Sequence, residues 1–271
     1  MTNHITSHRD GFPTGFTPVT SIDDPDDTKI GFGTLLLPAG TTYDETAKVE
    51  TAWLLMTGKA IAEVDGRNVE MERESIFDQS PYCVRVAAGG TVRFTCHEDC
   101  EFTVYSTANT KPFASTVYTP EEVPNEHRGK GQVGNACLRF VRTIFDGTNS
   151  DRNAELVLGE VITMPGRWSS YPPHHHSQPE IYHYRFTKSQ GYGHAELGED
   201  VVKVRQFDTV KIPGGEDHAQ CAAPGYGMYY AWVIRHLPNK PYTVPDFTRE
   251  HTWTQDPDAE IWMPEGLRGY D

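Results

Sequence analysis

The sequence predicts an all-β fold built from two similar β-barrels, and three observations support this prediction. Short runs rich in Val, Thr, Phe and Tyr alternate with turn dipeptides such as Asp65-Gly66 and Gly89-Gly90, a pattern typical of antiparallel strands. No stretch with helical periodicity of useful length competes with these runs. The two halves of the 271-residue chain also repeat one order of features, which indicates a duplicated barrel.

The repeated features locate the boundaries of the two barrels. The turn at Ala88-Gly89-Gly90 in the first half corresponds to Pro213-Gly214-Gly215 in the second. Segments rich in proline and charge lack strand alternation and separate the barrels. We therefore predict an N-terminal arm at residues 1–30, a first barrel at 31–110, a linker at 111–135 and a second barrel at 136–239. Residues 240–271 are predicted to form a tail packed on the second barrel or on another subunit.

Composition narrows the function classes. The net charge is −14 and the basic residues are scattered, which disfavours binding to nucleic acid or to an anionic membrane surface. No apolar stretch approaches the roughly 18 residues of a membrane span, and the N-terminal residues lack an export signal. The five cysteines include no C-x-x-C pair, which suits a reducing compartment. We expect a cytoplasmic protein that acts on a small molecule.

Four side chains in the second half form a pattern typical of a metal site: His174, His176, Glu180 and His218. Alternate residues of a strand face the same side, so His174 and His176 are expected to point into the barrel, with His218 arriving from the opposite side. Three imidazoles and one carboxylate leave two positions open on an octahedral ion, as a catalytic site requires. The pattern predicts one divalent ion, and zinc, manganese, iron and nickel all accept this ligand set.

Alternation also predicts which side chains surround this ion. If Glu180 points inward, Tyr182 and Tyr184 also point inward, whereas His183 and Arg185 point outward. The two phenols are the candidate catalytic residues, because a phenol beside a metal can relay protons. Ordinary packing inside the barrel is the alternative explanation for both.

Three further side chains are candidates for substrate binding. Arg185 could hold a substrate carboxylate with two parallel hydrogen bonds, and Arg167 is a similar candidate. Tyr229 lies on the last core strand. For Arg185 the alternative is a structural ion pair, and for Tyr229 it is packing in the core.

The spacing of the histidines resembles the two-part signature of the cupins, which are double-stranded β-helix (jelly-roll) barrels. The run GEVITMPGRWSSYPPH from Gly159 to His174, together with Glu180-Ile-Tyr182 and His218, resembles the 5-deoxy-glucuronate isomerases of bacterial inositol catabolism (IolB-like proteins). The resemblance implies a bicupin whose C-terminal barrel alone binds metal, through His174, His176, Glu180 and His218. It implies an aldose–ketose isomerisation of 5-deoxy-glucuronate to 2-deoxy-5-keto-gluconate.

The chain departs from this family at three places beside the site: Ser177–Pro179, where the family has a longer acidic insert, His183–Tyr184, and Asp217. These differences leave two other enzymatic interpretations open, namely a related sugar or uronate isomerase with another substrate and a metal-dependent oxidoreductase such as a dioxygenase. A non-enzymatic sugar-binding or regulatory cupin is less favoured, since no DNA-binding helix pair or basic patch is present. Exposed edge strands favour a homodimer.

Overall fold

The computed structural model describes residues 3–23 and 28–265. Parts of the predicted arm (residues 1–2 and 24–27) and the end of the predicted tail (residues 266–271) lie outside the described residues. Almost all regular structure is β, apart from two short 3-10 helices at Gln132–Asn135 and Arg249–Gln255, and the all-β prediction is confirmed. In the described part of the chain, no helix has the length and apolar character needed to cross a membrane.

The strands of the first half are mostly short and antiparallel. They are β1 (His4–Ile5), β2 (Gly15–Thr20), β3 (Gly31–Leu37), β4 (Thr42–Thr46), β5 (Glu50–Val64), β6 (Arg67–Arg73), β7 (Cys83–Val86), β8 (Thr91–Cys96), β9 (Cys100–Thr107) and β10 (Thr116–Tyr118). One layer of the first barrel has the order β10-β7-β5-β9-β3-β2, and the other is formed by β6, β5, β8 and β4.

The long strand β5 takes part in both layers of the first barrel. Residues Glu50 to Thr57 pair with β7 and β9, whereas Gly58 to Val64 pair with β6 and β8. The change occurs at Gly58, whose φ is +108° and where an added Cβ would lie 2.4 Å from the Asp99 carbonyl oxygen. Only glycine combines this backbone conformation with so close an approach, and so β5 can bend from one layer into the other.

The second half forms two facing sheets. Its strands are β11 (Glu126–Arg128), β12 (Arg139–Phe145), β13 (Leu156–Thr163), β14 (Trp168–His175), β15 (Glu180–Phe186), β16 (Tyr192–Leu197), β17 (Asp200–Arg205), β18 (Thr209–Ile212), β19 (His218–Ala222), β20 (Met228–Arg235) and β21 (Asp246–Phe247). The larger sheet has the order β1-β18-β15-β20-β13-β12-β11, and the smaller has the order β17-β16-β19-β14-β21.

Each barrel has its own apolar interior, and a third core lies between the barrels. Trp53 and Leu55 of β5 face the interior of the first barrel, while Leu54 between them faces the second barrel. On β15, Ile181 joins the core between the barrels and Tyr182 joins the interior of the second barrel. The two faces of β5 and of β15 therefore belong to different cores, and strands with both faces buried are rich in apolar residues. The two barrels pack against each other through the sheets that contain these strands.

A buried cluster of ion pairs crosses the contact between the barrels. Arg73 of the first barrel donates from Nη1 and Nη2 to the two carboxylate oxygens of Glu160 on β13, each at 2.8 Å. Arg142 donates to the same carboxylate at 3.3 Å, and the Tyr229 hydroxyl donates to it at 2.6 Å. These side chains are buried, so each charge depends on its partners for the solvation that water would otherwise provide.

The segments predicted as arm, linker and tail all join the barrels. Strand β1 pairs with β18 of the second barrel, and Arg9 donates two hydrogen bonds to the buried Asp208 at 2.7 and 2.6 Å. The linker supplies β10 to the first barrel and β11 to the second. In the tail, β21 pairs with β14 of the second barrel.

We expect Glu160→Gln to destabilise the protein by about 3–5 kcal/mol, because it leaves Arg73 and Arg142 buried without a balancing charge. Urea unfolding followed by circular dichroism measures the change. Glu72→Gln is the matched control, since Glu72 pairs with Lys59 at the surface and exposed pairs contribute little. Equal unfolding midpoints for wild type and Glu160→Gln would contradict this account of the contact.

Candidate active site

The two sheets of the second barrel converge on the predicted metal ligands. His174 on β14 is the direct cross-strand partner of His218 on β19 in the smaller sheet. Glu180 begins β15 in the larger sheet, and His176 follows the end of β14. The structure therefore differs from the expectation that His218 comes from the opposite side: His218 lies next to His174, and Glu180 faces them.

Three of the four predicted ligands form a compact group. Ligand atoms of His176, Glu180 and His218 lie within 4.8 Å of one another, and these residues are buried. Nε2 of His176 lies 3.1 Å and Nε2 of His218 lies 3.4 Å from Oε2 of Glu180. His174 stands beside the group, with its ring centroid 4.4 Å from that of His218 and 6.5 Å from that of His176.

The outer nitrogen of each imidazole faces a backbone carbonyl. The Nδ1 contacts are His174 to Ser170 at 3.1 Å, His176 to Gln178 at 2.8 Å and His218 to Glu216 at 3.0 Å. A carbonyl oxygen only accepts, so Nδ1 carries the proton and Nε2 is the atom available for coordination. Among the described residues, the buried Nε2 of His218 has no hydrogen-bond partner. Metal-binding histidines are oriented in this way, so the group fits a metal ion.

The protonation states of Glu180 and His174 favour the same use. Burial opposes ionisation of Glu180, but the adjacent His176 and His218 outweigh it and lower the pKa of the carboxyl group to about 2. Burial, reinforced by the neighbouring His218, lowers the pKa of His174 to about 3. An ionised carboxylate and a neutral imidazole are the forms that bind a metal cation.

A cavity of about 320 Å³ opens beside this group. His174, His176 and Glu180 line one part of it, and the apolar side chains Val141, Val161 and Ile234 line another. This volume lies at the lower end of the range for small-molecule sites. The cavity is therefore sized for a small ligand that reaches the His–Glu group.

The tail closes one side of the cavity, which the sequence did not predict. Tyr242, Val244, Pro245 and Phe247 line it, and the Tyr242 ring lies 5.1 Å from the His176 ring. Two hydrogen bonds hold this segment beside the site: Gln178 Nε2 donates to the Lys240 carbonyl, and Lys240 Nζ donates to Ser177 Oγ, at 2.8 and 2.6 Å.

The structure separates the two tyrosines that we proposed as catalytic. Tyr182 lines the cavity, and its ring centroid is 5.9 Å from that of His218. Tyr184 also points into the barrel, as alternation predicted, but its hydroxyl donates to Gln220 Oε1 at 2.6 Å within the core. Tyr182 is thus placed to contact a ligand, and Tyr184 is placed to support the barrel.

The three proposed substrate-binding residues lie elsewhere. Arg185 is on the outward face of β15, where it pairs with Glu101 of the first barrel. Tyr229 is directed to the contact between the barrels and donates to Glu160. Arg167 is half-buried and donates to the Gly134 carbonyl at 3.4 Å. Alternation gave the direction of Arg185 correctly, but the first barrel covers that face, so Arg185 forms a structural ion pair.

Two arginines that we did not single out line the cavity instead: Arg128 on β11 and Arg139 on β12. Arg139 lies two residues before Val141, which faces the interior of the barrel. Alternate side chains of β12 face the interior, so the sequence pattern could have identified Arg139 as a residue inside the barrel. Arg128 lies in the segment that the sequence suggested was a linker and gave no comparable signal.

Comparison with known proteins identifies the family. A family model described as the KduI/IolB family matches residues 5–254. The chain belongs to this family. The 5-deoxy-glucuronate isomerase of Geobacillus kaustophilus (strain HTA426) is 30% identical over 224 residues, covering 76% of this chain and 79% of that protein.

Solved structures agree on the fold. An IolB-like protein from Salmonella typhimurium LT2 has a TM-score of 0.79 at 23% identity, covering 90% of this chain and 97% of that one. A cupin 2 conserved barrel domain protein from Leptotrichia buccalis has a TM-score of 0.51 at 10% identity, covering 86% of this chain and 95% of that one. The predictions of a bicupin fold, of this family and of an isomerase are confirmed.

We expect the purified protein to contain about one divalent metal ion per chain and His176→Ala to retain less than about a tenth of it, because a buried ligand is lost. Elemental analysis after dialysis measures the content. His175→Ala is the matched control, since His175 points away from the group and contacts Asp217 at 2.7 Å. A full metal content in folded His176→Ala would show that the ion binds elsewhere.

Proposed function

We propose that this chain is a metal-dependent aldose–ketose isomerase that converts 5-deoxy-glucuronate into 2-deoxy-5-keto-gluconate. Its KduI/IolB family membership and its relatives named 5-deoxy-glucuronate isomerase support this proposal. The observation that carries it is the group of His176, Glu180 and His218 beside a cavity, with Nε2 of both histidines available for coordination.

In this proposal His176, Glu180 and His218 hold one divalent ion, with His174 as the fourth ligand. A bound divalent ion would act as a Lewis acid on the carbonyl and the neighbouring hydroxyl of the sugar. Zinc, manganese, iron(II) and nickel are all compatible with three imidazoles and a carboxylate. The backbone carbonyls that accept from Nδ1 fix the orientation of the imidazoles and so keep the site ready for substrate.

Tyr182 is our candidate for moving or holding a proton at the substrate. It lines the cavity within the same barrel wall as Glu180, two residues along β15. Its ring packs on Tyr230, at 4.9 Å between centroids, which limits its motion. A phenol in this position can donate a hydrogen bond to a sugar oxygen as charge develops there.

The apolar wall has a separate role in the proposal. Val141, Val161, Ile234 and the tail residue Phe247 line the cavity around the polar group. These side chains would exclude water once a sugar is bound, which strengthens the electrostatic interactions inside the site.

We expect the metal-loaded protein to convert 5-deoxy-glucuronate without oxygen, because isomerisation moves hydrogen within one molecule. Anaerobic ¹H NMR would show loss of the aldehyde (or its hydrate) and growth of the ketose, with deuterium uptake at C1 or C2 in D₂O. Failure to turn over this substrate while another uronate or aldose reacts would correct the substrate. Oxygen consumption coupled to turnover would contradict the reaction class and favour an oxidoreductase.

The same assay distinguishes the two tyrosines. We expect Tyr182→Phe to lower kcat by about 100-fold, the usual size of a general acid–base contribution, with the fold and the metal content retained. Tyr184→Phe removes a hydroxyl that bonds to Gln220 inside the core, so it should affect stability more than kcat. Equal kcat for wild type and Tyr182→Phe would exclude Tyr182 from proton transfer.

A further inference from the structure

Two positive side chains face each other in the wall of the cavity. Arg128 on β11 and Arg139 on β12 are direct cross-strand partners in the antiparallel pairing of these strands. Both line the same cavity as His176 and Glu180. Like charges placed directly opposite on neighbouring strands destabilise a sheet, so this arrangement has a cost that the fold alone does not explain.

Arg139 is half-buried and differs from the arginines that are buried between the barrels. Its Nη1 donates to the Cys137 carbonyl at 2.9 Å, and within residues 3–23 and 28–265 no carboxylate forms an ion pair with it. Burial is the main cause that lowers the pKa of Arg139, and the nearby Arg128 acts in the same direction. Three arginines in the contact between the barrels are each paired with a glutamate: Arg73 with Glu160, Arg85 with Glu50, and Arg185 with Glu101.

The surroundings of Arg139 hold its guanidinium in place. An added Cβ at Gly129 would lie 2.9 Å from Arg139 Nη1, and Gly129 has a φ of +73°. The backbone next to Arg128 therefore packs against the Arg139 side chain. An added Cβ at Gly129 would also lie 2.2 Å from the Cys137 carbonyl oxygen, so this approach requires glycine. Arg128 is held more loosely, by an exposed ion pair with Glu126 at 2.7 Å. A ligand anion would therefore find a positioned Arg139 and an adaptable Arg128.

We propose that Arg139, assisted by Arg128, binds the carboxylate of the substrate and makes the enzyme specific for sugar acids over neutral sugars. This inference rests on the proposed function and deepens it. The cavity presents the His–Glu group for the carbonyl end of a sugar acid and the arginines for its carboxylate end. A guanidinium can bind a carboxylate through two parallel hydrogen bonds, and an anion between Arg128 and Arg139 would relieve their repulsion.

The kinetic test compares two substrates that differ only at the carboxylate. They are 5-deoxy-glucuronate and the neutral sugar in which a hydroxymethyl group replaces the carboxylate. We expect Arg139→Met to lower kcat/KM for the acid by about 10- to 100-fold, the size of a lost charge-assisted hydrogen bond, and to leave the value for the neutral sugar within about threefold. Arg139→Lys should fall between wild type and Arg139→Met, because it keeps the charge but loses the paired geometry.

Arg128→Gln should lower kcat/KM for the acid by less than Arg139→Met does, in keeping with the looser attachment of Arg128. Arg93→Met is the matched control and should leave both substrates unaffected, because Arg93 is an exposed residue of the first barrel paired with Asp44. Equal losses on both substrates in folded, metal-containing Arg139→Met, or no loss on the acid, would overturn the inference. If Arg139→Met does not fold, an unchanged preference for the acid in Arg139→Lys would overturn it instead.

A binding experiment separates this inference from the proposed function. Isothermal titration calorimetry with gluconate, which has a carboxylate but no aldehyde, and with the neutral polyol sorbitol requires no turnover. We expect wild type to bind gluconate more tightly than sorbitol and Arg139→Met to lose that difference. If wild type isomerises neither substrate but shows this pattern, the proposed reaction fails and the carboxylate site stands. If wild type isomerises the acid but Arg139→Met keeps its preference for gluconate, the carboxylate site fails and the reaction stands.

Discussion

The buried carboxylate of Glu160 is the constraint on which the arrangement of the two barrels depends. It lies on a central strand of the second barrel and is neutralised by Arg73 of the first barrel and by Arg142. Since a buried charge without partners is strongly unfavourable, the barrels can approach only in the register that brings these groups together. The Tyr229 hydroxyl completes the set. The rest of the contact between the barrels is apolar, and apolar contacts are not directional. The ionic cluster therefore fixes the orientation of one barrel relative to the other.

The strands that carry this contact also carry the site. Glu160 on β13 faces the first barrel, whereas its neighbour Val161 lines the cavity. On β20, Tyr229 bonds to Glu160 and Tyr230 lines the cavity. Because successive side chains of a strand point to opposite faces, any shift in the contact between the barrels would also shift the walls of the cavity. The first barrel therefore helps to fix the positions of the strands that form the site.

The sequence was sufficient for the parts of this molecule that depend on local periodicity. Strand alternation predicted two β-barrels and the inward direction of Tyr182 and Tyr184, and the histidine spacing predicted which side chains would converge. Alternation distinguishes the inside of a barrel from its outside, but it does not say what covers the outside. The sequence did not show that the first barrel covers the outer face of the second. Arg185 and Tyr229 were therefore proposed for substrate binding, although the first barrel buries both of them.

The parts of the site that come from distant segments could not be predicted. The tail residues Tyr242 and Phe247 reach the cavity through the pairing of β21 with β14, and no local pattern encodes that pairing. Arg128 lies in a short segment whose proline and glycine content suggested a linker. Such contacts depend on tertiary packing, which overrides local preference. The His–Glu group is therefore easier to find from sequence than the other residues that line the cavity.

The most direct test of the central claim is an X-ray structure of the protein crystallised with its metal and gluconate, with data collected above the absorption edge of the metal found by elemental analysis. The account predicts one strong anomalous peak bounded by His176 Nε2, His218 Nε2 and the Glu180 carboxylate, with the gluconate carboxylate beside Arg139. An anomalous peak elsewhere in the chain, or a gluconate carboxylate bound away from both arginines, would contradict it.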